Sequence, residues 1–262
     1  MSYNQVNPYS IDTHIAELYD QQENYSDDVQ LLVDLIGNRE PLDIFEPFCG
    51  TGRILIPLVN AGNRLTGLDQ SGVLLNVCRE KLLSAGKNAA LIEGDAVGSS
   101  WPIGFDLVVL GGNCLYELAT IEEQEGCIRA AASALKRGGY LFLDNDHMEG
   151  ELAQEWQDTT PRPCFPSGVC ADGVRLESTI QTIWSDVSAR LVRFQRKTNI
   201  FFPNGEIIEQ TYIQQKHPVS KNEITLWLEE NGFSIEQLYG TRTRQPYINA
   251  SPRAIFWSHK KW

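Results

Sequence analysis

Near the start of the chain apolar residues recur at helical spacing, at Ile11, Ile15, Leu18 and Tyr19 and again at Val29, Leu31, Leu32, Leu35 and Ile36, which predicts two short helices. From Leu42 the rhythm changes. Brief apolar runs at 42–45, 65–68, 90–92, 107–110 and 140–143 have the length of buried strands, and the amphipathic stretches 54–60, 73–83 and 122–135 read as the helices between them. Strands alternating with helices predict a parallel sheet covered on both faces. Lys136-Arg137-Gly138-Gly139 offers the cations and glycine expected at the carboxyl end of the last of these helices.

Beyond Asp144 the alternation stops. Residues 150–175 hold Pro161, Pro163, Pro166, Gly168 and Gly173, and are expected to form an irregular, lid-like loop. Alternating, β-branched segments follow at 175–184, 190–202 and 206–215. Pro203-Asn204-Gly205 separates the last two and carries a strong hairpin signal. Ser220 and Glu223 form a capping box for a helix through Leu228 that stops at Asn231-Gly232, and strands at 234–239 and 254–257 close the chain. The expected organisation is N-terminal helices in 1–40, a core in 41–147 and 218–262, and an antiparallel β insertion in 148–217.

Composition narrows the classes. The 262 residues, 42% of them hydrophobic and 21% charged, are ordinary for a folded soluble protein. The net charge of -12 opposes binding to nucleic acid or to anionic lipid. No apolar run reaches the roughly 20 residues of a membrane span and no leader pattern opens the chain, so a cytoplasmic protein is expected. The six cysteines show neither a C-x-x-C pair nor a histidine at ligand spacing, so no metal site is expected and the thiols are read as reduced.

The most informative stretch is Asp43-Ile44-Phe45-Glu46-Pro47-Phe48-Cys49-Gly50-Thr51-Gly52-Arg53, a strand running through a glycine turn into a helix. Such a turn lets a ligand approach bare backbone at a helix N-terminus. A dinucleotide fingerprint would need a small residue three positions beyond Gly52. Leu55 stands there, and the charge of Glu46 would repel a pyrophosphate, which ranks a nicotinamide oxidoreductase low.

In order along the chain, Glu46-Pro47-Phe48-Cys49-Gly50-Thr51-Gly52-Arg53, Gly67-Leu68-Asp69-Gln70-Ser71, Glu93-Gly94-Asp95-Ala96, Phe105-Asp106-Leu107-Val108-Val109 and Leu135–Asp144 resemble the successive motifs of class I S-adenosylmethionine-dependent methyltransferases. The family resemblance implies a doubly wound, Rossmann-like α/β fold, with a seven-stranded sheet whose last strand is antiparallel and an antiparallel insertion after strand five. It also implies that Asp69, followed by Gln70, accepts the ribose hydroxyls of S-adenosyl-L-methionine, a bidentate task suited to a carboxylate. Asp95 and Ala96 would meet the adenine, and Glu46 the methionine amino group. The loop Phe48, Gly50, Thr51 and Gly52 would pass under the ligand, and Arg53 would face its carboxylate. Asn113 and Leu115 would line the methionine arm, Tyr19 and Tyr25 would close over it, and Tyr116, Asp146 and His147 would face the acceptor, His147 as the natural proton acceptor near neutral pH.

The hairpin insertion resembles methyltransferases acting on small molecules, including glycine and amino-sugar N-methyltransferases. A small-molecule acceptor with an N or O nucleophile is therefore expected, with a second copy of the chain as a candidate partner. A non-catalytic cofactor-binding module is the alternative from another class.

Overall fold

The computed structural model describes residues 13–39, 41–146 and 148–261. Helices α1 (Thr13–Gln22) and α2 (Asp27–Ile36) precede a core of β1 (Asp43–Pro47), α3 (Leu55–Asn60), β2 (Arg64–Asp69), α4 (Gly72–Ser84), β3 (Ala90–Glu93), β4 (Phe105–Leu110), α5 (Ile121–Ala134) and β5 (Leu135–Asp146). After β6 (Arg162–Val169), β7 (Arg175–Asp186), β8 (Leu191–Phe201) and β9 (Ile207–Lys216), the chain returns through α6 (Lys221–Glu230), β10 (Phe233–Tyr239) and β11 (Arg253–Lys260).

Seven strands form one sheet in the order β10-β11-β5-β4-β1-β2-β3. Its neighbours pair in parallel from β5 to β3, and β11 runs antiparallel to both β5 and β10. The expected Rossmann-like sheet with an antiparallel last strand is therefore present. Both faces are covered, and successive residues of one strand show it. Phe45, Val108, Leu143 and Phe256 bury against α5 and α6, whereas Ile44, Leu107, Phe142 and Ile255 bury against α2, α3 and α4. The strand order reverses between β1 and β4, and doubly wound sheets open a crevice at the carboxyl ends on either side of such a point.

The second sheet is an antiparallel meander, β6-β7-β8-β9, with β7 and β8 paired along their lengths except for a bulge between Thr182 and Trp184. Helix α1 joins it to the core. Ile15 and Leu18 pack with Leu176 and Ile200 of this sheet, while Asp20 bonds Thr51 and Lys81 of the core.

Two local expectations fail. Residues 162–169 were expected to be irregular but form strand β6. Pro163 and Pro166 are tolerated because β6 is an edge strand, and the pairing is interrupted between Cys164 and Gly168. Lys136-Arg137-Gly138-Gly139 does not end a helix: α5 stops at Ala134 and β5 begins at once. Leu135 pairs with Phe105 and Tyr140 with Leu107, so four residues bulge opposite Asp106. Gly138 takes φ +80° there, and Lys136 turns outward to Asp106 at 2.8 Å and Asp43 at 3.1 Å.

Gly67 of β2 lies where the loop after β1 crosses the sheet. A Cβ there would stand 2.7 Å from both Cys49 Sγ and Leu55 Cδ1. Gly67→Ala should lower the unfolding free energy by about 1–3 kcal/mol through overpacking, measured by urea denaturation.

Candidate functional site

The loop after β1 is shaped by backbone that side chains disfavour. Phe48, Gly50 and Gly52 have φ of +66°, +52° and +83°. Only glycine fits at the last position, where a Cβ would meet Cys78 Sγ at 2.6 Å. Two bonds hold the loop on β2: Cys49 N–H donates to Leu68 C=O at 3.0 Å, and Gly50 N–H to Asp69 Oδ2 at 2.9 Å.

This loop floors a cavity of about 810 Å³ at the carboxyl edge of the sheet, bounded by α1, the ends of β1, β2 and β4, the segment after β3, and strand β9. Of the residues singled out in the sequence, Tyr19, Tyr25, Glu46, Phe48, Gly50, Arg53, Asp69, Gln70, Asp95, Ala96, Asn113, Tyr116 and Asp146 line it. Thr51, Gly52 and Leu115 do not. Thr51 is buried with its hydroxyl on Asp20 at 2.7 Å, and Leu115 sits in the core. His147 lies outside the described residues.

Glu46 is the most constrained of the lining groups. It is 4% exposed, and its Oε2 has no hydrogen-bond partner. Burial pushes its carboxyl well above the usual range, against the opposing pull of Arg53, with Asp28 and Asp69 adding to the rise and a bond from the Leu55 amide counteracting it. Asp69 is raised by burial too, and its oxygens already take the Gly50 amide and, at 2.9 Å, the Ser71 amide. Ser71, not Asp69, caps α4, accepting from Leu74 N–H.

Arg53 does not pair with Glu46. Its guanidinium forks onto Asp28 at 2.8 and 2.7 Å and lies 4.0 Å above the Tyr25 ring. Arg242, from the turn between β10 and β11, sits 4.7 Å from the same ring and bonds Asp27 and Asp144 at 2.9 Å each. Arg253 continues the chain of charges to Asp144 at 2.7 Å, to Asp146, and to Asn113 Oδ1 at 2.8 Å. One ionic strap thus ties α2, the β1 loop, β5 and β11 together. It occupies the carboxylates of Asp144 and of Asp146, the latter expected to face the acceptor.

The acceptor-facing residues form a second group. The Tyr116 hydroxyl is buried without a protein partner, and burial followed by the nearby Asp146 raises its pKa. Its ring packs on Trp156, with centroids 6.1 Å apart. Glu117, Gln214 and Lys216 also line the cavity, and the sequence reading missed them. A signal existed: on β9 the inward positions run Tyr212, Gln214, Lys216, and polar residues at inward positions of a hairpin strand mark a polar cavity. Arg242 carried no comparable signal. The walls hold seven carboxylates, Glu23, Glu46, Asp69, Asp95, Glu117, Glu123 and Asp146, against four cations, Arg53, Lys216, Arg242 and Arg253, each of them ion-paired. The cavity therefore favours a cationic ligand.

Comparison with known proteins gives this geometry a context. Residues 44–139 match the family model described as a methyltransferase domain. The cypemycin N-terminal methyltransferase of a Streptomyces species is 29% identical over 140 residues, covering 52% of this chain and 56% of that protein, so the chain spans about half the length of this curated relative. A crystal structure of an S-adenosylmethionine-dependent methyltransferase from Clostridium acetobutylicum superposes with a TM-score of 0.75 at 14% identity, covering 94% of this chain and 98% of the other. The SAM-bound structure of CalS10, an amino pentose methyltransferase from Micromonospora echinaspora, gives 0.66 at 17% identity over 95% and 97%.

Asp28 is fully buried beneath the strap and faces two guanidinium groups. Asp28→Ala should cost about 3–5 kcal/mol in urea denaturation, because Arg53 loses its partner inside the fold.

Proposed function

We propose that the chain is an S-adenosylmethionine-dependent methyltransferase and that it methylates the amino group of a small molecule. The observation that carries the assignment is the unpartnered oxygen of Glu46, buried beside a loop whose turn needs glycine at Gly52 and facing a cavity rich in acidic side chains. An ammonium group is the natural partner for such an oxygen.

The residues present fit the cofactor. Glu46 would hold its amino group, Gly50 and the adjoining loop its amino-acid tail, Asp69 and Gln70 the ribose diol, and Asp95 with Ala96 the adenine. Asn113 would face the methionine arm, with Tyr19 and Tyr25 as the cover. Bound there, the cofactor supplies a methyl group on a sulfonium, which leaves so readily that no covalent enzyme nucleophile is needed. The work left to the protein is to align the acceptor and exclude water. The strap through Arg53, Arg242 and Arg253 anchors the helical cover for that purpose.

Tyr116, whose phenol is held protonated, would donate a hydrogen bond rather than remove a proton. Asp146, already held by Arg253 and Asn113, is poorly placed to act as a base. An amine needs no enzyme base once it has arrived neutral, which favours nitrogen over oxygen as the nucleophile. The relative named an N-terminal methyltransferase and the neighbour named an amino pentose methyltransferase support that choice by their names. Six free cysteines accord with a reducing, cytoplasmic setting. No described helix is long and apolar enough to cross a membrane.

Release of S-adenosylhomocysteine should appear with members of a panel of primary amines and amino sugars and be absent with their hydroxyl counterparts. Asp69→Ala should weaken S-adenosylhomocysteine binding by about 1.5–3 kcal/mol per charged hydrogen bond lost, read by calorimetry, and an unchanged affinity would refute its role.

A further inference from the structure

Glu117 stands where the core meets the second sheet. It ends the 3-10 turn Cys114–Glu117 that follows β4, and two residues of β9 clasp its carboxylate: Lys216 Nζ donates to Oε1 at 3.0 Å and Gln214 Nε2 to Oε2 at 3.1 Å. The side chain is 43% exposed although protein surrounds it, because the surface it shows opens into the cavity. Around it are polar atoms without partners. Gln214 Oε1 and the Tyr116 hydroxyl are both buried and unbonded, and the Tyr116, Trp156 and Phe194 rings pack in series at tilted angles, with centroids 6.1 and 5.5 Å apart.

The inventory of this corner is lopsided. Glu117 and Gln214 offer acceptor lone pairs, and Tyr116 offers one hydroxyl that can donate or accept. Among the described residues two cations act on Glu117, and both are already engaged: Lys216 on Glu117 itself, and Arg196, further off, on the Phe165 carbonyl. A group that satisfies the corner must bring N–H or O–H donors, and the neighbouring carboxylate favours one that carries positive charge.

We propose that Glu117 is the specificity-determining residue of the methyl acceptor site, seating the acceptor's amino nitrogen through an N–H hydrogen bond and leaving its lone pair free to attack. This rests on the function proposed above. The ionisation of Glu117 decides which part it plays. Burial alone would raise its carboxyl, but Lys216, the nearby Arg196 and Gln214 outweigh it and hold the group below its ordinary value. It therefore accepts a hydrogen bond rather than a proton. The amine arrives neutral, and its lone pair forms the new N–C bond as the C–S bond breaks and that pair returns to sulfur. The positive charge thereby passes from sulfur to nitrogen. It develops next to a carboxylate already in place, and the extra proton then leaves to water. An alcohol would need a base at this point, and Glu117, held ionised, is a weak one. Any amine with one remaining N–H meets the requirement, so a primary amine should be carried to the dimethylated stage.

The test uses the full chain saturated with S-adenosylhomocysteine, titrated by calorimetry with three amines, glucosamine, glycine methyl ester and n-butylamine, each against its hydroxyl counterpart, glucose, methyl glycolate and n-butanol. At least one amine should bind roughly tenfold more tightly than its counterpart. E117Q keeps an oxygen for Lys216 but loses the charge. It should abolish that preference while binding S-adenosylhomocysteine within about twofold of the wild type. With an acceptor found by turnover, E117Q should raise KM for the amine more than it lowers kcat. A wild type without any amine preference overturns the proposal whether or not the variant folds, and so does a preference that E117Q retains. Failure of S-adenosylhomocysteine to bind the wild type would instead refute the function on which the proposal depends.

Discussion

A buried carboxyl group with one oxygen left unbonded is the constraint around which this site is arranged. Glu46 sits at the end of the central strand, sealed from solvent, with one oxygen unsatisfied and two further carboxylates, Asp28 and Asp69, close enough to oppose its ionisation. Leaving such an atom unpaired costs on the order of 1–3 kcal/mol, and a fold that keeps it does so at a functional position far more readily than in its core. The glycine loop, the reversal of strand order beside β1 and the acidic walls all turn toward this one atom.

What keeps the cavity closed on its other side is an alternation of charges. Asp28, Arg242, Asp144, Arg253 and Asp146 pass from α2 through the β10–β11 turn to β5 and β11, Arg53 brings the glycine loop into the same strap, and Tyr25 lies between two guanidinium faces. The strap couples segments more than a hundred residues apart in the chain. Its effect is to fix the start of α2, and with it Tyr25, at the edge of the site, while α1 links the core to the second sheet through Leu18 and Asp20.

Much of this was legible in the sequence because it is local. The alternation of strands and helices, the glycine turn after Glu46, the aspartates at the ends of β2 and β3 and the Ser220–Glu223 capping box are written within a few residues each. The seven-stranded sheet with an antiparallel last strand and a shared site for Glu46, Asp69, Asp95 and Asn113 were implied by the family resemblance that these motifs carry. What escaped was of two kinds. Strand β6 was hidden by its prolines, which an edge position tolerates, and the bulge at Lys136–Gly139 looked like a helix stop because both use cations and glycine. The partners of Arg53, and the meeting of Glu117 with Gln214 and Lys216, are contacts between residues 25 and nearly 100 positions apart, and no local pattern encodes them.

The central claim is that Glu46 waits uncharged for a cationic amino group and ionises when it arrives. Calorimetric titration of S-adenosylhomocysteine at pH 7, in two buffers of different ionisation enthalpy, measures this directly as protons released per ligand bound. A carboxyl raised by burial and lowered again by the ligand's ammonium should release a substantial fraction of one proton, and Glu46→Gln should lose that release along with affinity. Binding with no proton release, or a Glu46→Gln variant that binds as tightly as the wild type, would contradict it.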